Sequence, residues 1–258
     1  MELIDTHTHL TFAELENDIE AVIARSKEAK VTGWITVATD TEQIKKVLDL
    51  VSKYDNMYAA LGIHPHYAKD ISSADISFLK TAAQSDKVVA VGETGLDFYY
   101  TYSEAGKQKD LFRQQLTIAA ELALPVVVHS RNAFDDTMQI LGRFAPKLKG
   151  VVIHCFSGSA EQARVILERG YYISFTGMVT FKKNVAQTIE AAKIVPLDRM
   201  MLETDCPYIS PEPVRNKRPC EPAFLVHTAR KLAELKDMDF ADFARQVAKT
   251  SKNFFQIA

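Results

Sequence analysis

Residues 5–10 read DTHTHL and place His7 and His9 one residue apart. On an extended chain, residues i and i+2 point to the same side, so both imidazoles would aim at one spot. A metal ion is one reason for such a pair; a polar strand end facing water is the ordinary alternative. Further imidazoles occur at His64 and His66 in LGIHPHY, at His129 in VVVHS and at His154 in VIHC. Carboxylates with comparable settings are Glu93 in VGETGLD and the pair Glu203 and Asp205 in LETDCPY. Imidazole mixed with carboxylate suits zinc, manganese or iron, and a carboxylate-rich position also takes magnesium. Glu93 is suited to bridging two ions, or to binding one, or to accepting a histidine N–H. Asp205 could bind metal, orient a water or take its proton. Glu203 reads as support for the same region, and strand alternation would put it on the face that carries Asp205.

The elements that must position these groups follow from hydropathy. Short apolar runs predict strands at 2–5, 33–38, 57–62, 88–92, 125–129, 150–154, 171–175 and 199–203. Runs with helical spacing lie between them, at 13–30, 41–53, 74–84, 104–122, 132–145, 159–169 and 183–193, with two more at about 221–235 and 239–256. The stretches VVAVG and PVVVH are continuous and β-branched, as in strands covered on both faces. Eight strands, each followed by a helix, predict an α/β chain of the (β/α)8 TIM type, read as a single domain over residues 1–258. An open doubly wound sheet has the same local pattern, and the count and length favour the barrel. On this layout six of the seven histidines lie at or just after strand C-terminal ends, where active sites of barrels occur. A single such histidine is more often structural; the set predicts a metal site, with His7 and His9 as adjacent ligands.

Composition narrows the classes. The chain has 258 residues, 47% hydrophobic and 25% charged, with a formal net charge of −2. That balance suits a soluble globular protein and lacks the basic footprint of a general nucleic-acid or membrane binder. Bound metal could still supply positive charge to a phosphate-bearing substrate. The three cysteines, Cys155, Cys206 and Cys220, are odd in number and have no C-x-x-C spacing, which predicts a reducing, cytoplasmic setting. No basic-then-apolar leader and no membrane-spanning run are visible. Nothing points to a protein partner.

The ordered set H-T-H, GIHPH, GETGLDFYY, PVVVHSR, HCFSGS and LETDCPY closely resembles the TatD-related hydrolases, part of the metal-dependent amidohydrolase superfamily. The match runs from His7 to the RNKRPCEP segment at 215–222. The resemblance implies a TIM-like barrel with one or two divalent ions (Mg, Mn or Zn) and hydrolysis of phosphodiesters, often described as deoxyribonuclease activity. It carries over His7, His9, Glu93, His129, His154 and Asp205 as metal ligands, and His64 as a phosphate-facing or proton-transfer residue. Two positions depart from the family pattern. Cys220 stands before Glu221-Pro222 where Asn is common, and Thr94 occupies an aliphatic position of the GETGLD motif.

Other residues have a functional and a structural reading. Arg131, in HSR, could hold a phosphate or form a rim salt bridge. Arg215, Lys217 and Arg218 form a short basic loop between Pro213 and Pro219 that could touch substrate, and Lys182 and Lys183 read as a solvated helix start. Phe98, Tyr99, Tyr100 and Tyr102 could stack unpaired bases or pack their own loop. Cys155 and Cys206 read as small wall residues, because no base is paired with either. The expected reaction is attack of metal-activated water on a DNA phosphodiester at a strand end or in single-stranded DNA, with DNA held locally. The same site could instead cleave an amide, a lactone or the ester of a misacylated tRNA. A non-catalytic metal-binding scaffold would have no need for both Asp205 and His64.

Overall fold

The computed structural model describes residues 2–258. Eight strands appear in chain order: β1 Leu3–Thr8, β2 Val31–Ala38, β3 Met57–Leu61, β4 Val88–Asp97, β5 Val126–Arg131, β6 Val151–Ile153, β7 Tyr172–Phe175 and β8 Met200–Leu202. The helices are α1 Ala13–Glu16, α2 Ile19–Glu28, α3 Thr41–Val51, α4 Ser73–Ala82, α5 Ala105–Leu122, α6 Phe134–Phe144, α7 Ala160–Glu168, α8 Ala186–Ile194, α9 Leu225–Leu235 and α10 Phe240–Phe255. The strands belong to one eight-stranded sheet in sequence order, and the recorded pairings are parallel. This is the topology of a (β/α)8 TIM-type barrel. Chain contacts divide it into two compact units, one of residues up to Thr36 together with Cys155–Ala258, the other Val37–His154.

In the first unit, the segment just after β8 is hydrogen-bonded to β1 and the residue after it. Asp205 N–H donates to His7 O at 3.0 Å and His9 N–H to Cys206 O at 2.9 Å. Trp34, Ile35, Phe175 and Phe243 are fully buried there. The expected helix over 13–30 is broken at Asn17 and Asp18, two residue types that favour caps and turns over helix interiors. The pairing of β1 with β2 also shifts: Asp5 faces Trp34 and Thr8 faces Thr36, so β1 carries one extra residue beside His7. Such a bulge re-aims side chains locally.

In the second unit, β4 is twice as long as the apolar run VVAVG suggested, and it contains the whole GETGLD motif. The glycines hid this extension, because they weaken a strand pattern in sequence. Here they allow close approach. A Cβ on Gly95, whose φ is +136°, would stand 2.0 Å from His129 O, and one on Gly92 would stand 2.6 Å from Val127 O. Between Val91 and Thr94, β4 advances three residues while β5 advances two, from Val126 to Val128. Glu93 therefore sits in a bulge. Leu61, Ile63, Val91, Leu96, Phe112 and Leu116 are among the fully buried core residues of this unit. Among the described residues no helix is long and apolar enough to cross a membrane.

Candidate functional site

Within the first unit, three donors converge. His7 Nε2 lies 3.3 Å from His9 Nε2, His9 Nε2 lies 3.3 Å from Asp205 Oδ1, and His7 Nε2 lies 3.8 Å from that same oxygen. Two ligands each about 2.0–2.2 Å from a common ion stand about 3.0–3.5 Å apart. The two spacings at His9 fall in that range and the 3.8 Å between His7 and Asp205 is slightly wider, so the set suits one divalent cation after a small inward shift. Asp205 gets there through backbone geometry. Its φ of +54° is left-handed, a region that Asp tolerates, and its N–H is tied to His7 O. Glu203 goes elsewhere, to accept from Cys155 N–H. Strand alternation does not relate these two carboxylates, because β8 ends at Leu202. The ring of His9 stacks on Phe12 at 4.7 Å, which fixes its plane.

Asp5, the first residue of the DTHTHL stretch, is fully buried. Burial pushes its carboxyl up to about 8, partly offset by hydrogen bonds from the Thr204 hydroxyl and N–H. Those bonds measure 2.6 and 2.9 Å, and a longer one of 3.4 Å comes from His7 N–H. Asp5 thereby clamps β1 to the segment that carries Asp205.

Within the second unit, Glu93 is the hub. Its Oε1 is 2.9 Å from His154 Nε2, 3.0 Å from His129 Nδ1 and 3.5 Å from His64 Nε2. Burial raises the Glu93 carboxyl, yet the facing histidines outweigh it and hold the group well below the usual carboxylate range. On the far side of His129, Nε2 lies 3.1 Å from Asp97 Oδ2, which also receives His66 Nε2 at 3.0 Å. Asp97 is likewise buried, and hydrogen bonds from His129, His66 and the Tyr100 N–H keep it ionised. When His129 donates Nε2–H to Asp97, its Nδ1 lone pair faces the Glu93 oxygen, with His154 Nε2 3.3 Å away. Acceptors facing each other at these distances call for a shared cation or an extra proton. A carboxylate behind a histidine is the usual orienting arrangement for a metal ligand.

His64 differs. Its Nδ1 accepts from His66 N–H at 3.2 Å, so in the neutral ring the proton is on Nε2. Burial lowers its pKa to about 4 despite Glu93, leaving the ring neutral near pH 7 with one N–H to donate. Two buried glutamines on α5 fix the backbone of these loops. Gln115 bonds both N–H and C=O of Ile63 at 2.8 and 2.9 Å, and Gln108 does the same for Asp97 at 2.9 Å each.

The arginines fall into two groups. Arg131 is exposed at the end of β5 with its guanidinium over Tyr99 and Tyr100. Arg215 lies over the Phe181 ring and reaches Ser210 O, while Arg218 donates to Tyr208 O and the Ser210 hydroxyl. The last two brace their own loop. Burial pushes the Cys206 thiol well above its ordinary value and that of Cys220 up to about 12, so both are inert neutral groups.

Asp97, Asp5, Gln108 and Gln115 escaped the sequence reading, and His66 was counted among the strand-end histidines without a role of its own. His66 and Asp97 stood inside quoted motifs, GIHPH and GETGLD, but their partners are distant in the chain. The glutamines had only a hint, spacing of seven on a helix whose apolar face they share.

Comparison with known proteins adds to this geometry. Residues 4–256 match the family described as TatD related DNase. The chain is 40% identical over 255 residues to the uncharacterised metal-dependent hydrolase YabD of Bacillus subtilis, covering 99% of each chain. It is 34% identical over 259 residues to the 3'-5' ssDNA/RNA exonuclease TatD of Erwinia tasmaniensis, covering 99% of this chain and 100% of that one. The crystal structure of YjjV, a TatD homologue of Escherichia coli, superposes with a TM-score of 0.93 at 32% identity, over 99% of this chain and 98% of that one.

Proposed function

Because the chain belongs to the TatD-related family of metal-dependent hydrolases, we propose that it hydrolyses phosphodiester bonds of single-stranded DNA, at or near strand ends. The observation that carries this reading is the gathering of imidazole and carboxylate donors in two separate sets, His7, His9 and Asp205 in one and His64, Glu93 and His129 in the other, the donors of each set within 4.8 Å of one another, with His154 Nε2 2.9 Å from the Glu93 carboxylate. The nuclease name of the Erwinia relative supports the choice of bond.

In this reading His7, His9 and Asp205 hold one divalent ion, and Glu93, His129 and His154 are the ligands for a second. A divalent ion at such a site lowers the pKa of water and neutralises charge on phosphate oxygens. Asp205 is 14% exposed at its side chain, unlike the fully buried His7, so water can reach its carboxylate and lose a proton to it. His64 donates its Nε2–H to a phosphate oxygen or to the leaving oxygen. Asp97 keeps His129 in the tautomer that presents Nδ1. Arg131 supplies a cation for a neighbouring phosphate.

The test is turnover of end-labelled single-stranded DNA by protein stripped of metal, then supplied with Mg²⁺, Mn²⁺ or Zn²⁺ singly. Chelation abolishes hydrolysis and at least one ion restores it. Parallel assays on aminoacyl-tRNA and small lactones show no turnover of comparable efficiency. Full activity of protein shown by elemental analysis to be metal-free, or turnover confined to the lactones or the tRNA ester, overturns the reading.

A further inference from the structure

The segment that follows β4 exposes aromatic surface that the hydrolytic chemistry leaves unused. Tyr99, Tyr100 and Tyr102 are 55%, 38% and 57% exposed, and they supply three of the six exposed large hydrophobic residues among those described. The rings are ordered against one another. Tyr100 and Tyr102 stack at 5.3 Å and 16°, while Tyr99 meets Tyr100 edge-on at 4.8 Å. The Arg131 guanidinium lies 4.0 Å from the centre of Tyr99 and 4.9 Å from that of Tyr100. Among the described residues no protein carboxylate or carbonyl accepts from that guanidinium.

This group is fastened to the chemistry of its unit. Asp97 Oδ1 accepts from Tyr99 N–H at 2.9 Å and Tyr100 N–H at 3.0 Å, while Oδ2 faces His129 and His66. The His66 ring lies 4.8 Å from Tyr102 and 5.4 Å from Tyr100. One carboxylate thus sets both the histidine cluster and the tyrosine group. Tyrosines that only packed their loop would be covered, whereas Tyr99 and Tyr102 keep more than half their surface in water.

We infer that Tyr99, Tyr102 and Arg131 form a stacking site for unpaired nucleobases beside the phosphodiester to be cleaved. This rests on the nucleic-acid reading proposed above. Every base has a π face, so stacking on tyrosine tolerates any sequence, and a planar cation on the same platform favours the flanking phosphate. Bases within a duplex are already stacked and cannot use it. Tyr100, wedged between Tyr99 and Tyr102, positions the other two.

The experiment measures binding of metal-loaded protein to two phosphorothioate-linked octamers that resist hydrolysis, one thymidylate and one abasic, equal in charge. The wild type binds the base-bearing strand about tenfold or more tightly, the range expected for one or two stacked bases. Tyr99→Ala with Tyr102→Ala loses that preference; Tyr99→Phe with Tyr102→Phe keeps it, and thermal melting verifies that both variants fold. Equal affinity of the wild type for the two strands, no binding of either, or an alanine variant that keeps the preference overturns the inference. A protein that cleaves DNA without base-dependent binding refutes the stacking site alone. Base-dependent binding without cleavage of any strand refutes the nuclease reading alone.

Discussion

Asp205 and Asp97 are both aspartates beside histidines, but their surroundings separate them. Asp205 lies within 3.8 Å of two imidazole nitrogens and its side chain is 14% exposed, so under the proposed function its charge and basicity act on the reaction directly. Asp205→Asn keeps the shape and removes both properties. Hydrolysis falls by about 10²-fold or more while the melting profile stays that of a folded protein. Near-normal turnover at saturating metal would exclude Asp205 from the chemistry. Asp97 faces the rear of His129 and acts through it. Asp97→Asn can turn its amide N–H toward His129 Nε2 and favour the wrong tautomer. Metal affinity, read by titration of stripped protein, weakens about 10–100-fold. Unchanged affinity would show that His129 needs no such partner.

At the scale of elements, strand irregularity does the positioning. The extra residue in β4 turns Glu93 toward His129 and His154, and the one in β1 lies next to His7. Helices contribute stability around these strands. At the start of α4, Ser72 Oγ accepts from Asp75 N–H, and Asp75 Oδ2 accepts from Ser72 N–H at 2.9 Å and its hydroxyl at 2.6 Å. Those bonds lower the Asp75 pKa below 3.8. A depressed carboxylate pKa stabilises the fold above the unfolded value, and the effect is lost as pH falls through the folded one. Ser72→Ala therefore lowers the unfolding midpoint at pH 7 by about 2–4 °C. The gap to the wild type narrows below pH 3.8. A melting series across pH 3–7 checks this, and a gap that widens in acid would contradict the capping box.

For the whole molecule, charge limits how substrate is held. A net charge of −2 supplies no long cationic track. In the proposed reading Arg131 and bound metal are the principal phosphate contacts, since the Arg215 guanidinium lies over Phe181 and Arg218 is bonded within its own loop. Each neutralised phosphate contributes about −0.7 to the slope of log K against log salt on a single strand. Two to four contacts give a slope of roughly −1.4 to −2.8. Binding of the metal-loaded wild-type protein to phosphorothioate-linked single-stranded, blunt and closed-circular DNA over a salt series measures it. A steep slope with equal affinity for closed duplex would reveal an extended groove instead.

Sequence alone was sufficient for the alternation of strands and helices, since apolar spacing depends only on neighbours along the chain. It also sufficed for the family, whose motifs are local and ordered. His7 with His9, and His129 with Glu93, could be nominated because each residue occupies a recognisable motif. What sequence could not contain is the set of partners brought together by folding. Asp97 meets His66 across 31 residues and His129 across 32, and Gln115 meets Ile63 across 52. The register slips at Glu93 and His7 depend on how two strands pair, and the glycines that permit one of them look like strand breakers when read singly. Asp205 and Glu203 part company for the same reason: a left-handed φ and a hydrogen bond to β1 take over where β8 ends, so alternation no longer decides where a side chain points.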